Sequence, residues 1–149
     1  MKRLHSVRTA LLMPLALAGT VALSPMRVAA QDLYTPIPLP LNGEITDRLS
    51  PEDIPTGLGG HARDYRVYLE AGDQVAIDVI SDEFDTIVSL IDEEGNTIGE
   101  NDDGPDGTTN SLLFARITET GNYIVRVRAF GGRGSGQFFL KVARLRPVN

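Results

Sequence analysis

The sequence predicts an all-β fold, a jelly-roll-like antiparallel β-sandwich of about eight strands. Three observations predict it. Apolar residues alternate at period two in several short runs, turns rich in Gly, Asp, Asn and Pro separate those runs, and no stretch beyond residue 30 carries a 3.6-residue pattern. Two packed antiparallel sheets bury one face of every such strand.

The first segment is of another kind. Lys2, Arg3 and Arg8 precede an apolar run from Ala10 to Leu23, and Val28-Ala29-Ala30 follow. A basic region, a short apolar region and small residues before a cut are the pattern of a secretory signal peptide over residues 1–30. Pro14 and Gly19 interrupt a run already shorter than the ~20 apolar residues of a membrane span. No cysteine follows the small residues to take a lipid, and no second arginine stands beside Arg3 to make a twin-arginine signal. The expected location is exported, periplasmic or extracellular, without membrane insertion after cleavage.

Beyond residue 30, ten Lys and Arg face twenty Asp and Glu, a formal charge of −10. Nucleic acid and anionic membrane surfaces, which need a basic footprint, are poor partners for such a chain. The 119 residues that remain make one domain with one core. With no cysteine there is no disulfide framework, so the core holds alone or a bound ion helps it.

Residues 31–42 are a Pro-rich lead-in, where Pro36, Pro38 and Pro40 fix φ and remove amide donors; an extended segment outside any ladder is expected. The sandwich spans 43–146. A short strand runs from Gly43 to Leu49, and Ser50 to Gly60 is a loop by its content of Pro and Gly. Tyr65, Val67 and Leu69 alternate with Asp64, Arg66, Tyr68 and Glu70; after Ala71-Gly72-Asp73, Val75, Ile77 and Val79 repeat the phase, so the two read as a hairpin. Thr86 to Ile91 is apolar on both phases apart from Ser89, which suits a strand covered on both sides, and Glu94-Gly95-Asn96 turns the chain. Leu112 to Ile117, then Tyr123, Val125 and Val127, then Phe138, Leu140 and Val142 complete the set. The expected core is Tyr65, Val67, Leu69, Val75, Ile77, Val79, Leu90, Leu113, Tyr123, Val125, Val127, Phe138, Leu140 and Val142.

The order of these pieces carries a resemblance. Asp64-Tyr65-Arg66-Val67-Tyr68-Leu69-Glu70-Ala71-Gly72-Asp73, Asp85-Thr86-Ile87-Val88-Ser89-Leu90, Gly95 with Asn101-Asp102-Asp103, Thr120-Gly121-Asn122-Tyr123-Ile124-Val125-Arg126-Val127 and Gly136-Gln137-Phe138-Phe139-Leu140-Lys141-Val142 together resemble the bacterial pre-peptidase C-terminal (PPC) domain. The resemblance implies a non-catalytic jelly-roll-like sandwich, usually appended after the catalytic domain of a secreted peptidase. In clostridial collagenases a similar domain binds collagen and calcium. This chain departs from that version, with Pro36 to Leu41 in place of an acidic segment that supplies calcium ligands, and Phe138 in place of a tyrosine of the last strand.

Inventory argues against an enzyme. His61 is the one histidine beyond residue 30, and no serine sits on a recognisable nucleophile turn. Zinc and transition metals lack nitrogen and sulfur ligands. Calcium is the cofactor the residue types allow, since thirteen carboxylates fall between Arg66 and Arg116 without one intervening base, in loops that bracket the strand from Thr86 to Ile91. Its candidate ligands are Asp85, Asn101, Asp102, Asp103 and Asp106; the alternative is a polar turn whose Asp and Asn side chains bond their own backbone. The C-terminal third is basic, and Ile124, Arg126 and Arg128 form a candidate partner surface with Phe139 and Lys141 if the Gly131–Ser135 loop closes a hairpin. Two functions remain open. One is a secreted, non-catalytic module that binds an extracellular or cell-envelope protein or polymer; the other is an accessory, chaperone-like partner of a separately encoded secreted peptidase.

Overall fold

The computed structural model describes residues 34–145 except Leu58 and Asp106; the expected signal peptide lies outside them. Its elements are β1 (Ile37–Pro38), β2 (Glu44–Leu49), β3 (Ile54–Pro55), β4 (His61–Leu69), β5 (Gln74–Ile80), β6 (Thr86–Ile91), β7 (Thr97–Asn101), β8 (Ser111–Arg116), β9 (Gly121–Ala129) and β10 (Gly136–Leu145), with one 3-10 turn at Phe130–Gly132. Eight of the strands are five residues or longer, and β1 and β3 have two residues each.

Sheet A has the order β1-β4-β9-β6-β7, with β3 also on β4, and sheet B has the order β2-β10-β5-β8. Among the eight longer strands only β6 and β7 are joined as a hairpin; every other link crosses from one sheet to the other, which is jelly-roll wiring. The hairpin expected between β4 and β5 is therefore not formed. β4 pairs with β9, and β5 pairs with β10 and β8. Alternation reports which face of a strand is buried, and both strands carry the same alternation whether they pair or face each other across the core. The turn between them is held to the end of β8, where the Gly72 N–H bonds the Ile117 carbonyl at 2.8 Å and the Ile117 N–H bonds the Asp73 carbonyl at 2.9 Å.

Thirteen of the fourteen expected core residues are buried, and Val67 packs against them partly covered. Phe138 anchors the centre, edge-on to Tyr65 and to Phe84 with ring centroids 6.2 Å apart in each pair. Leu49, Phe84, Val88, Ile117 and Ala129 join the same cluster. Phe84 sits in the acidic Asp82–Asp85 loop, and no alternating neighbour marks it.

The lead-in is not outside the ladder. Ile37 and Pro38 pair in parallel with Tyr65 and Arg66 on the edge of β4, and the Leu39 N–H bonds the Arg66 carbonyl at 2.9 Å. Alternate prolines are tolerated there because the nitrogens of Ile37 and Leu39 face β4, while those of the prolines face away. The chain then leaves the edge through Pro40 to Gly43. Gly43 has φ +75, and a Cβ on it would stand 2.4 Å from the Val142 carbonyl oxygen, so no other residue fits without displacing β10.

Candidate partner-binding surfaces

Strand direction divides the acidic loops between the two ends of the sandwich. The turns after β4, β6 and β8, which hold Glu70, Asp73, Asp92, Glu93, Glu94 and Glu119, gather at one end. The loops at 50–60, 81–85, 102–110 and 130–135 gather at the other, with Asp85, Asp102 and Asp103 among them. The acidic stretches on either side of β6 are thus separated by the length of that strand.

At the Asp85 end, neighbouring loops are stitched together by neutral groups. The Thr86 N–H and hydroxyl both donate to the Thr109 carbonyl, and the Thr86 and Ser111 hydroxyls lie 2.6 Å apart in the interior. The Asp85 carbonyl accepts the Phe130 N–H at 2.8 Å. Asn101 is committed to the turn: its Oδ1 accepts the Asp102 N–H at 3.1 Å, and its Nδ2 donates to the carbonyls of Asp103 at 2.7 Å and Leu112 at 2.8 Å. Among the described residues no group of three His, Cys, Asp or Glu side chains is placed to hold a metal ion; Asp106 lies outside them. At the opposite end, Asp92, Glu93, Glu94 and Glu119 border a groove of about 360 Å³. The Asn96 side chain and backbone donate to Asp92, at 2.9 and 2.7 Å, and hold its carboxyl below the usual range.

On the outer face of sheet A, Asp64, Arg126, Ser89 and Glu100 stand in one row across β4, β9, β6 and β7. Arg126 donates twice to the buried Asp64 carboxylate, at 2.8 and 2.7 Å. Glu100 Oε2 accepts the Ser89 hydroxyl and an Arg128 Nη2–H, each at 2.6 Å. Arg128 Nε is buried without a hydrogen-bond partner among the described residues. These arginines serve the sheet itself.

The outer face of sheet B is different. Phe139 lies between Thr46 and Ile80, Lys141 between Glu44 and Asp78, and Ala143 beside Ala76, which in turn faces Phe114. Ile80, Phe114 and Leu145 are 44%, 64% and 45% exposed, and Leu112 and Phe139 are partly covered. Lys141 binds Glu44 at 2.8 Å, which raises its ammonium above the usual range.

The expected surface of Ile124, Arg126 and Arg128 with Phe139 and Lys141 is therefore split. β9 belongs to sheet A and β10 to sheet B, so the Gly131–Ser135 link spans the sandwich, and the two groups point out of opposite sides. Ile80, Leu112, Phe114 and Leu145 are not among the residues expected at a partner surface. The signal for them is a second apolar phase in strands that one phase already accounts for, as in Leu112-Leu113-Phe114. His61 is the first residue of β4 and lies opposite Pro55 of β3.

The architecture is that of an all-β jelly-roll sandwich whose outer sheet A face is crossed by ion pairs and whose outer sheet B face exposes apolar side chains around the Lys141–Glu44 pair. The family model described as the bacterial pre-peptidase C-terminal domain matches residues 62–129, from the start of β4 to the end of β9. No curated protein matches the chain in sequence. Two solved structures share the fold. A pre-peptidase C-terminal domain of collagenase from Bacillus anthracis is 17% identical with a TM-score of 0.57, covering 73% of this chain and 95% of its own. PliG of Aeromonas hydrophila, described as a periplasmic inhibitor of g-type lysozyme, is 14% identical with a TM-score of 0.56, covering 74% of this chain and 96% of its own.

Proposed function

We propose that the chain is exported and acts as a non-catalytic module that binds a protein or polymer of the cell envelope or surroundings through the outer face of sheet B. The observation that carries this is the exposure of Ile80, Phe114 and Leu145 on one regular face, around Leu112 and Phe139. Apolar side chains gathered on one face of a folded domain mark contact surfaces. The residue inventory supports a non-catalytic role, since His61 is the one histidine beyond residue 30 and there is no cysteine. The basic and apolar pattern of residues 1–30 supports export, as does a structural neighbour described as periplasmic. A protein partner is favoured by that neighbour's description as an inhibitor of an enzyme, although the likeness itself concerns the fold.

Residues 31–149 as bait, with Phe114→Asp as the control, test the reading on envelope extract and culture fluid of the source organism. The expected result is a partner retained by the wild type and lost by a variant of unchanged melting temperature. Hydrolysis of protein or glycan by the purified chain, abolished by His61→Ala, would replace the module with an enzyme. A second reading, an accessory partner of a separately encoded secreted peptidase, takes support from the family's description and the collagenase neighbour. Recovery of a peptidase in the same capture selects it.

Calcium belongs to the proposal as a stabilising ion at the 102–110 loop. Asp85, Asp102, Asp103 and Asp106 are its candidate ligands together with main-chain carbonyls, while Asn101 shapes the turn.

A further inference from the structure

A second surface lies at the open edge of β4. The lead-in follows that edge only as far as Leu39, whose N–H bonds the Arg66 carbonyl, and then turns off through Pro40 to Gly43, where the Gly43 carbonyl accepts the Val142 N–H. Beyond this point no strand among the described residues covers this edge of β4. The Leu39–Arg66 bond fixes the backbone phase, so the N–H and C=O of Tyr68 also face outward on this edge. The Tyr68 carbonyl is taken by the Arg144 guanidinium, a side chain standing where a strand would stand. Between lead-in, β4 and β10 lies a groove of about 780 Å³, in the range of ligand-binding clefts.

Its walls are of two kinds. Leu39, Val67, Val142 and Ala143 are apolar, and the Tyr68 ring at the rim is 53% exposed. Arg66, Lys141 and Arg144 are basic, against Glu44 as the one carboxylate of the lining. Glu44 is already bound to Lys141, Arg144 reaches Asp73 only at 3.7 Å, and the exposed Arg66 makes no ion pair among the described residues. A basic groove is the exception in a chain whose formal charge beyond residue 30 is −10.

We propose that this groove binds an extended acidic peptide segment of a partner protein, laid along β4 past Leu39. The segment's backbone takes the outward N–H and C=O of Tyr68, and Arg144 is released to a carboxylate. A second carboxylate two residues away meets Arg66, and the alternate apolar side chains turn to the apolar walls. Lys141, Glu44 and Ala143 border both surfaces, but the exposed Ile80, Phe114 and Leu145 belong to sheet B alone and Arg66 and Tyr68 to the groove alone, so the two proposals are tested separately.

The test uses residues 31–149 and a fluorescein-labelled hexapeptide of alternating leucine and glutamate, with its leucine–glutamine counterpart, followed by fluorescence anisotropy. The expected result is binding of the glutamate peptide at least about tenfold tighter than the glutamine peptide, weakening as salt rises. Arg66→Glu, at unchanged melting temperature, removes most of this binding, whereas Phe114→Asp leaves it intact. Amide shifts on titration centre on Arg66 and Tyr68. Equal binding of the two peptides, no binding up to millimolar protein, or an Arg66→Glu variant that binds as wild type would overturn the proposal. So would binding of an acidic polysaccharide without the peptide.

Discussion

Tyr65 and Asp47 meet at the rim of the core, where the enclosed phenol donates to Asp47 Oδ2 at 2.8 Å and the same oxygen accepts the Arg63 Nε–H at 2.8 Å. Arg63 also binds Asp53, whose carboxylate accepts the Ser50 N–H, so four side chains tie β2, β4 and the 50–60 loop together. Burial raises the Asp47 carboxyl, but the hydrogen bonds from Arg63, the Arg48 amide and Tyr65 outweigh it and hold the group below 3.8. The same surroundings, burial first and the hydrogen bond to Asp47 next, push the Tyr65 phenol far above its usual range.

A depressed carboxylate sets an acid limit. Its contribution is complete above the unfolded value near 3.8 and is lost as pH falls through the lower folded value. Thermal melts from pH 7 to pH 2 should fall most steeply below about pH 4. Asp47→Asn should cost about 1–3 kcal/mol at pH 7, with a gap to wild type that narrows toward pH 2.

The Asp64–Arg126 pair should behave as a coupled unit. Arg126→Leu removes two charge-assisted bonds from a carboxylate whose side chain is 1% exposed, and should cost about 3 kcal/mol. Asp64→Leu with Arg126→Leu should recover most of that loss in urea melts. Additive single costs would show that the two side chains act separately.

Asn101→Ala removes the acceptor of the Asp102 N–H and the donor to two carbonyls, one of them on the edge strand β8. A loss of about 1–3 kcal/mol follows, with faster hydrogen exchange in the 102–113 segment. Loss of stability without local exchange would place the effect elsewhere.

Calcium at the 102–110 loop should raise the melting temperature in millimolar Ca²⁺ over chelator at matched ionic strength, by about 2.7 kcal/mol of stability at a hundredfold excess over Kd. Asp102→Asn with Asp103→Asn should abolish the increment. Superimposed curves would leave Asn101 and its turn as the whole role of the segment.

Period-two alternation was enough to find the layers, because Val75, Ile77 and Val79 declare an inward face whatever strand lies beside them. Pairing was not legible. Ala71-Gly72-Asp73 serves a link across the core as well as it serves a hairpin, and the choice rests on β9 and β10, more than forty residues further on. The partner residues show the same limit. Arg126 and Arg128 look free in sequence because Asp64 and Glu100 are distant in the chain, yet register places them within hydrogen-bond reach. Phe114 carries no signal of its own in sequence, because Leu113, its neighbour, already satisfies the inward phase.

The last strand of the chain, β10, lies between β2 and β5, near the middle of its sheet. A chain that emerges N-terminus first, from a ribosome or through a translocation pore, therefore holds β2 and β5 apart until its final ten strand residues are out. Sheet B cannot close before β10 is available, and contacts so distant in sequence form slowly. Sheet B thus keeps a gap of one strand width between β2 and β5 until β10 arrives to fill it.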